Sequence, residues 1–120
     1  MNSEGLAIER FEGAVEGQQV LRLIGPLTSS TTFPLHTALR DHDVKTVILD
    51  LTQVPYADSV GLGTLVGAYV SWQKAGKPVA LSGANRRLQQ LFHITKLDTF
   101  FLSFPTLQDA VAALTTAHSA

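Results

Sequence analysis

Val47 to Gly67, read VILDLTQVPYADSVGLGTLVG, is the stretch that decides the fold. It opens on the apolar run Val47-Ile48-Leu49, continues through Asp50-Leu51-Thr52, and turns at Gln53-Val54-Pro55-Tyr56-Ala57. A short run rich in β-branched residues and bounded by turn residues predicts a strand, Val47 to Thr52, covered on both faces. After Asp58-Ser59, the residues Leu62, Leu65, Val66, Tyr69 and Val70 recur at i, i+3, i+4, i+7 and i+8, one apolar stripe of a helix. The end of that helix is signalled by Lys74 in its last turn, Gly76 at C′ and Pro78 two residues on. The unit is a strand, a short loop and a helix, with a small hydroxyl side chain at the helix entrance.

Working outward, Leu6 to Glu12 and Gln19 to Gly25 read as two strands joined by the polar segment Gly13 to Gly17. In the second, Leu21 and Leu23 alternate with Val20, Arg22 and Ile24, the period-2 pattern of a strand. Gly25-Pro26 ends it. The hydroxyl cluster Thr28 to Thr32 offers helix N-caps ahead of Phe33-Pro34, and Leu35, Ala38 and Leu39 give helical spacing as far as Asp41-His42-Asp43.

On the other side, Pro78 to Ser82 predicts a short strand, and Asn85 or a neighbour caps a helix whose buried face is Leu88, Leu91 and Phe92. Ile94 and Leu97 extend that apolar surface past the helix end. Phe100 to Phe104 reads as a final strand, bounded by Pro105. Thr106-Leu107-Gln108-Asp109 resembles a capping box with Asp at the acidic position, and Leu107, Ala110, Val111 and Leu114 form a last amphipathic helix that frays from Thr115. The order ββαβαβαβα implies an α/β domain: a five-stranded sheet, mixed but mostly parallel, with about four crossover helices and one core, spanning residues 1–120 as a single domain.

Composition narrows the function. Nine basic and ten acidic residues give a formal charge of -1 with no basic stripe, which argues against nucleic-acid binding. The absence of cysteine excludes a disulfide scaffold, thiolate metal sites and cysteine nucleophiles. The start of the chain has no charged n-region followed by an apolar h-region, and the longest apolar uncharged run, from Ser59 to before Lys74, falls short of the roughly 20 residues a membrane span needs. The expectation is a cytoplasmic protein without membrane insertion.

Three readings compete for the helix entrance. Gly61-x-Gly63-x-x-x-Gly67 suggests a dinucleotide fingerprint, but that fingerprint requires an acidic residue about 20 residues on, after the next strand. Here the next strand ends in Leu81-Ser82-Gly83-Ala84. The simpler account is that Gly63 and Gly67 let the helix lie close against the sheet or a neighbouring helix. A hydrolase with Ser59 as nucleophile would need G-x-S-x-G and a general base. The first glycine is missing, and His36, His42, His93 and His118 are scattered without triad or metal spacing. No metal site and no cofactor are expected.

The third reading makes Ser59 a modification site. A hydroxyl at a helix amino terminus lies among unpaired amides in the positive end of the dipole, so a phosphate there is tolerated. It would add about -1.5 to -2 charge to a near-neutral surface. Against it stands plain N-capping by Asp58 or Ser59, which the residues alone favour.

Asp58-Ser59-Val60-Gly61-Leu62-Gly63, preceded by Val47-Ile48-Leu49-Asp50-Leu51, resembles the signature of STAS domains in the anti-sigma factor antagonist branch. Gly25-Pro26-Leu27-Thr28 is similar to the family's loop before its first helix, and Arg86-Arg87-Leu88 through Leu91-Phe92 with Ile94 to Leu97 to its third helix and turn. The resemblance implies the STAS fold and a non-enzymatic partner switch. Ser59 would be the phosphoacceptor, and Thr28, Asp58, Ser59, Val60, Gly61 and Leu62 the partner-binding set. The partners implied are an anti-sigma factor that is also a serine kinase, bound when Ser59 is unphosphorylated, and a PP2C-type phosphatase. Gly61 and Gly63 would keep the helix start free of bulk for the kinase. Two positions depart from the pattern: Val60 stands where a second serine is common, and Thr28 where a loop acid is common. The other role the resemblance admits is an accessory subunit of a membrane transporter, such as a lipid ABC complex.

Overall fold

The computed structural model describes residues 6–31 and 44–119, with side chains described as far as Thr115. The helix expected after Pro34 lies outside the described residues, as do Thr32, His36, His42 and the side chain of His118.

The sheet is built outward from its most buried strand. β3, Thr46–Gln53, has its first six residues buried, because Val47, Leu49 and Leu51 face one layer and Ile48 faces the other. It is flanked on one side by β2 (Gln18–Ile24) and on the other by β4 (Val79–Ser82), both parallel to it. β1 (Ala7–Glu12) pairs antiparallel with β2, and β5 (Ser103–Phe104) closes the opposite edge, parallel to β4. The spatial order β1-β2-β3-β4-β5 follows the chain. Of the sheet's four pairings only the opening hairpin is antiparallel, as the expectation of a mixed, mostly parallel sheet requires.

The turn of that hairpin is anchored by Gln18, buried at the start of β2. Its side-chain oxygen accepts from Ala14 N at 2.8 Å, and its amide nitrogen donates to Thr115 Oγ1 at 3.2 Å, so a buried polar group is satisfied on both sides.

Helix α1 (Ser59–Lys74) and helix α2 (Arg86–Ile94) cover one face of the sheet, placing Leu62, Leu65, Tyr69, Trp72, Leu88 and Phe92 on Leu21, Leu23, Leu49 and Leu81. Helix α3 (Leu107–Ser119) covers the other, setting Ala110 and Leu114 on Val20, Ile48 and Ala80. Each fully buried leucine contributes about 1.5–3 kcal/mol relative to exposure. α1 ends in a Schellman motif: Lys77 N donates to Trp72 O at 2.9 Å and Gly76 N to Gln73 O at 3.0 Å, with Gly76 at φ 78°. Asn85 caps α2, accepting from Leu88 N at 2.8 Å.

Three expectations change. The final strand is only Ser103–Phe104, because Phe100 N and Phe101 N donate back to Leu97 O in a turn. The last helix, expected over Leu107 to Leu114, extends in the backbone to Ser119. Gly63 and Gly67 are exposed, and a Cβ on either would meet nothing within 4 Å among the described residues, so neither glycine is there for close packing against the sheet.

Candidate functional site

The entrance to α1 is held in place by the loop that follows β2. Leu27 is fully buried and forms an isolated parallel bridge with Ala57. Its N–H donates to Tyr56 O and its carbonyl accepts from Asp58 N, both at 3.0 Å. The loop then folds on itself through Thr31, whose hydroxyl donates to Pro26 O at 2.6 Å and accepts from Thr28 N at 2.8 Å. Thr28 is therefore half-buried, its hydroxyl 3.1 Å from Ser30 Oγ, and Ser29 and Ser30 are the loop's exposed residues.

Asp58, not Ser59, is the N-cap. Its Oδ1 accepts from Gly61 N at 2.8 Å, its backbone carbonyl accepts from Leu62 N at 2.8 Å, and its Oδ2 faces Ser29 N at 3.4 Å. One carboxylate thus joins the helix entrance to the β2 loop, stabilised by the positive end of the helix. Ser59 stands at the first helical position, exposed, and its hydroxyl bonds to no described residue. The amides of Ser59 and Val60 are among the first-turn donors that have no intrahelical partner.

The residues singled out from the sequence therefore divide. Asp58, Ser59 and Val60 are exposed, with Val60 at 51%. Leu62 is 7% exposed and belongs to the core beneath the entrance, so it supports this surface without presenting a side chain to a partner. Gly61 is buried against the backbone of Leu27 and Thr28, and a Cβ there would collide with the Leu27 carbonyl. Its lack of a side chain serves packing between helix and loop, whereas Gly63 opens onto solvent.

The structure also brings to the site residues that the sequence marked only as a cap, a turn or a helix face. Asn85 Nδ2 donates to Val54 O and Pro55 O, each at 3.2 Å, tying the start of α2 to the loop before Ser59. Arg87 consequently lies over the Tyr56 ring, 5.2 Å from its centroid. Beside them Ile94, expected to continue the buried surface, is 76% exposed. Tyr56, Arg87, Leu91 and Ile94 line a shallow concavity next to the α1 entrance. The spacing of Ile94 from Phe92 was the available signal, since two residues apart on a helix do not share a face.

No group of three or more metal-ligating side chains occurs among the described residues, and no described helix is long and apolar enough to cross a membrane. Away from this site, His93 Nδ1 lies 2.9 Å from Asp98 Oδ2, and the hydrogen bond from His93 holds the Asp98 carboxyl below its ordinary value of 3.8.

Comparison with known proteins gives this geometry a family. The family model for the STAS domain matches residues 7–110. The anti-sigma-B factor antagonist of Listeria monocytogenes is 40% identical over 76 residues, covering 61% of this chain and 67% of the relative. Among solved structures, an anti-sigma factor antagonist from Mycobacterium paratuberculosis superposes with a TM-score of 0.74 at 26% identity, covering 89% of this chain and 93% of its own. The phosphorylated form of the Bacillus cell fate determinant SpoIIAA superposes with a TM-score of 0.66 at 20% identity, covering 90% and 99%. The chain belongs to the STAS domain family, among the relatives of anti-sigma factor antagonists.

Proposed function

We propose that this protein is a partner-switching regulator of the anti-sigma factor antagonist type, controlled by phosphorylation of Ser59. The observation that carries the reading is the division of labour at the α1 entrance: Asp58 makes the cap, and Ser59 is exposed with its hydroxyl bonded to no described residue. A residue in that position can gain a phosphate without breaking a bond between described residues. The free first-turn amides and the helix dipole stabilise the added charge.

In the unphosphorylated form the charges of the docking surface are already engaged, the Asp58 carboxylate by Gly61 N and the Arg87 guanidinium by the Tyr56 ring. Val60 is exposed, Ser29 and Ser30 edge it on the β2 loop, and Tyr56 and Ile94 extend it toward α2. Such a surface fits an apolar patch on a partner, and the partner class is an anti-sigma factor that also acts as the serine kinase. A phosphate of about -1.5 to -2 charge at Ser59 would have to be desolvated on docking, which releases the partner. A PP2C-type phosphatase would restore the binding form. The role is regulatory and requires no catalytic group on this chain. The phosphorylated Bacillus protein shows that this fold carries a phosphate in at least one of its members.

The test is capture of partners by the wild-type, Ser59→Ala and Ser59→Asp proteins, with mass spectrometry of the wild type after incubation with the captured kinase. Ser59→Ala should retain a kinase-fold partner constitutively and Ser59→Asp should lose it. If the kinase leaves Ser59 unmodified, the switch is wrong; capture of a membrane ATPase instead would make the protein a transporter subunit.

A further inference from the structure

A second concave site lies on the other flank of α2, away from Ser59. The connections leaving the carboxyl ends of β4 and β5 go to opposite faces of the sheet, α2 to one and α3 to the other. In open α/β sheets the crevice outside such strand ends is where ligands bind. Here it is a cleft of about 420 Å³ between α2 and the segment from Asp98 to Pro105, within the roughly 300–1,000 Å³ range of small-molecule sites.

Its walls are aromatic. Phe92 and Phe101 are buried, with ring centroids 5.1 Å apart, and Phe104 is half-buried at the end of β5. Its polar side chains present several acceptors. Gln89 donates through Nε2 to Ala84 O at 2.7 Å, which leaves its side-chain oxygen unused. His93 Nδ1 points at a carboxylate oxygen of Asp98, so that nitrogen carries the hydrogen, and Nε2 of the neutral ring is an acceptor. Asp98 is itself held by Thr99 N at 3.1 Å, which fixes the carboxylate that orients the ring. Ser103 adds a hydroxyl, which can accept as well as donate.

The geometry points to a binding site for a small planar aromatic molecule that carries an N–H or O–H donor on its edge. The ring stacks in the Phe-walled cleft, and the donor is taken by His93 Nε2, Gln89 Oε1 or Ser103 Oγ. A ligand without a donor would leave Gln89 Oε1 and His93 Nε2 without a partner. The cleft shares no lining residue with the concavity beside Ser59, so this site stands independently of the partner switch.

The experiment is a titration of the ¹⁵N-labelled full chain with indole and with 1-methylindole at pH 8, above the ordinary imidazole range, followed by amide chemical shifts. Indole should give saturable shifts centred on Gln89, His93 and Phe101 to Phe104. 1-Methylindole, the same ring without the donor, should bind at least about five-fold more weakly, the equivalent of one net hydrogen bond. At least one of His93→Ala, Gln89→Ala and Ser103→Ala should weaken indole by a similar factor, and Ser59→Ala should leave it unchanged. The proposal is overturned if indole gives no saturable shift at millimolar concentration, if the shifts centre elsewhere, if 1-methylindole binds as well as indole, or if none of the three cleft variants changes the affinity.

Discussion

The backbone of Gly61 rests directly on the carbonyl of Leu27, so the first turn of α1 and the loop after β2 form one packed unit. A Cβ at position 61 would collide with that carbonyl and stand 2.8 Å from Thr28 N, and these are backbone atoms with no rotamer to change. Gly61→Ala should therefore destabilise the protein by about 1–3 kcal/mol, despite alanine's better helix propensity. Gly63→Ala, on the open side of the same turn, should stabilise by up to about 1 kcal/mol. Urea unfolding of the two variants checks the opposite signs.

Asp58 and Ser59 should separate stability from switching. Asp58→Ala removes the cap on Gly61 N and the link to Ser29, for a loss of about 1 kcal/mol, and Asp58→Asn should recover most of it. Ser59→Ala, whose hydroxyl bonds no described residue, should shift stability by no more than about 0.5 kcal/mol while changing partner capture. Thermal melts beside the capture assay decide this; a Ser59→Ala variant that melts like Asp58→Ala would mean the hydroxyl is structural.

Val60 and Leu62 make a parallel contrast. Leu62→Ala should cost about 2–5 kcal/mol through the cavity it leaves under α1. Val60→Asp, on the exposed side, should leave the melt nearly unchanged and weaken partner capture at least about ten-fold by placing an unpaired charge in the docking surface.

Lys96 follows the last turn of α2 at φ 63°, closing a Schellman motif in which Leu97 N donates to Phe92 O at 2.7 Å and Lys96 N to His93 O at 3.1 Å. A left-handed conformation costs an L-residue about 1–2 kcal/mol, and glycine's larger unfolded-state entropy offsets part of the gain from relieving it. Lys96→Gly should gain about 0.5–1 kcal/mol in denaturant unfolding, with no change in either binding assay.

The Asp98 carboxyl is held below its ordinary value, first by the hydrogen bond from His93 and further by the charge of that ring. Because the folded value is the lower one, the contribution to stability is present above the ordinary carboxylate range and is lost as the pH falls through the depressed value. The pair is solvent-exposed, so the effect is screened by salt. A carboxyl-carbon NMR titration should place the Asp98 midpoint below 3.8, and His93→Ala should move it upward.

Much of this protein was set by local patterns in the chain. The β3–α1 unit, the C-terminal signal of α1 at Gly76, the Asn85 cap and the two-faced burial of β3 depend on residues within a turn or a strand of one another, and periodicity reports such relationships directly. The brevity of β5 did not show, because the aromatic run Phe100-Phe101 has strand propensity and its capture by the Leu97 carbonyl is a tertiary outcome. At the site, the sequence placed Asp58 and Ser59 at a helix entrance but could not choose the cap between them. That choice came from the approach of the β2 loop, which engages both Asp58 and Gly61. The same long-range contact made Gly61 a packing residue, put Leu62 beneath the surface and left Val60 and Ser59 above it. Local residues set which side chains stand at the doorway, and the packing of a loop some 30 positions earlier decided which of them face out.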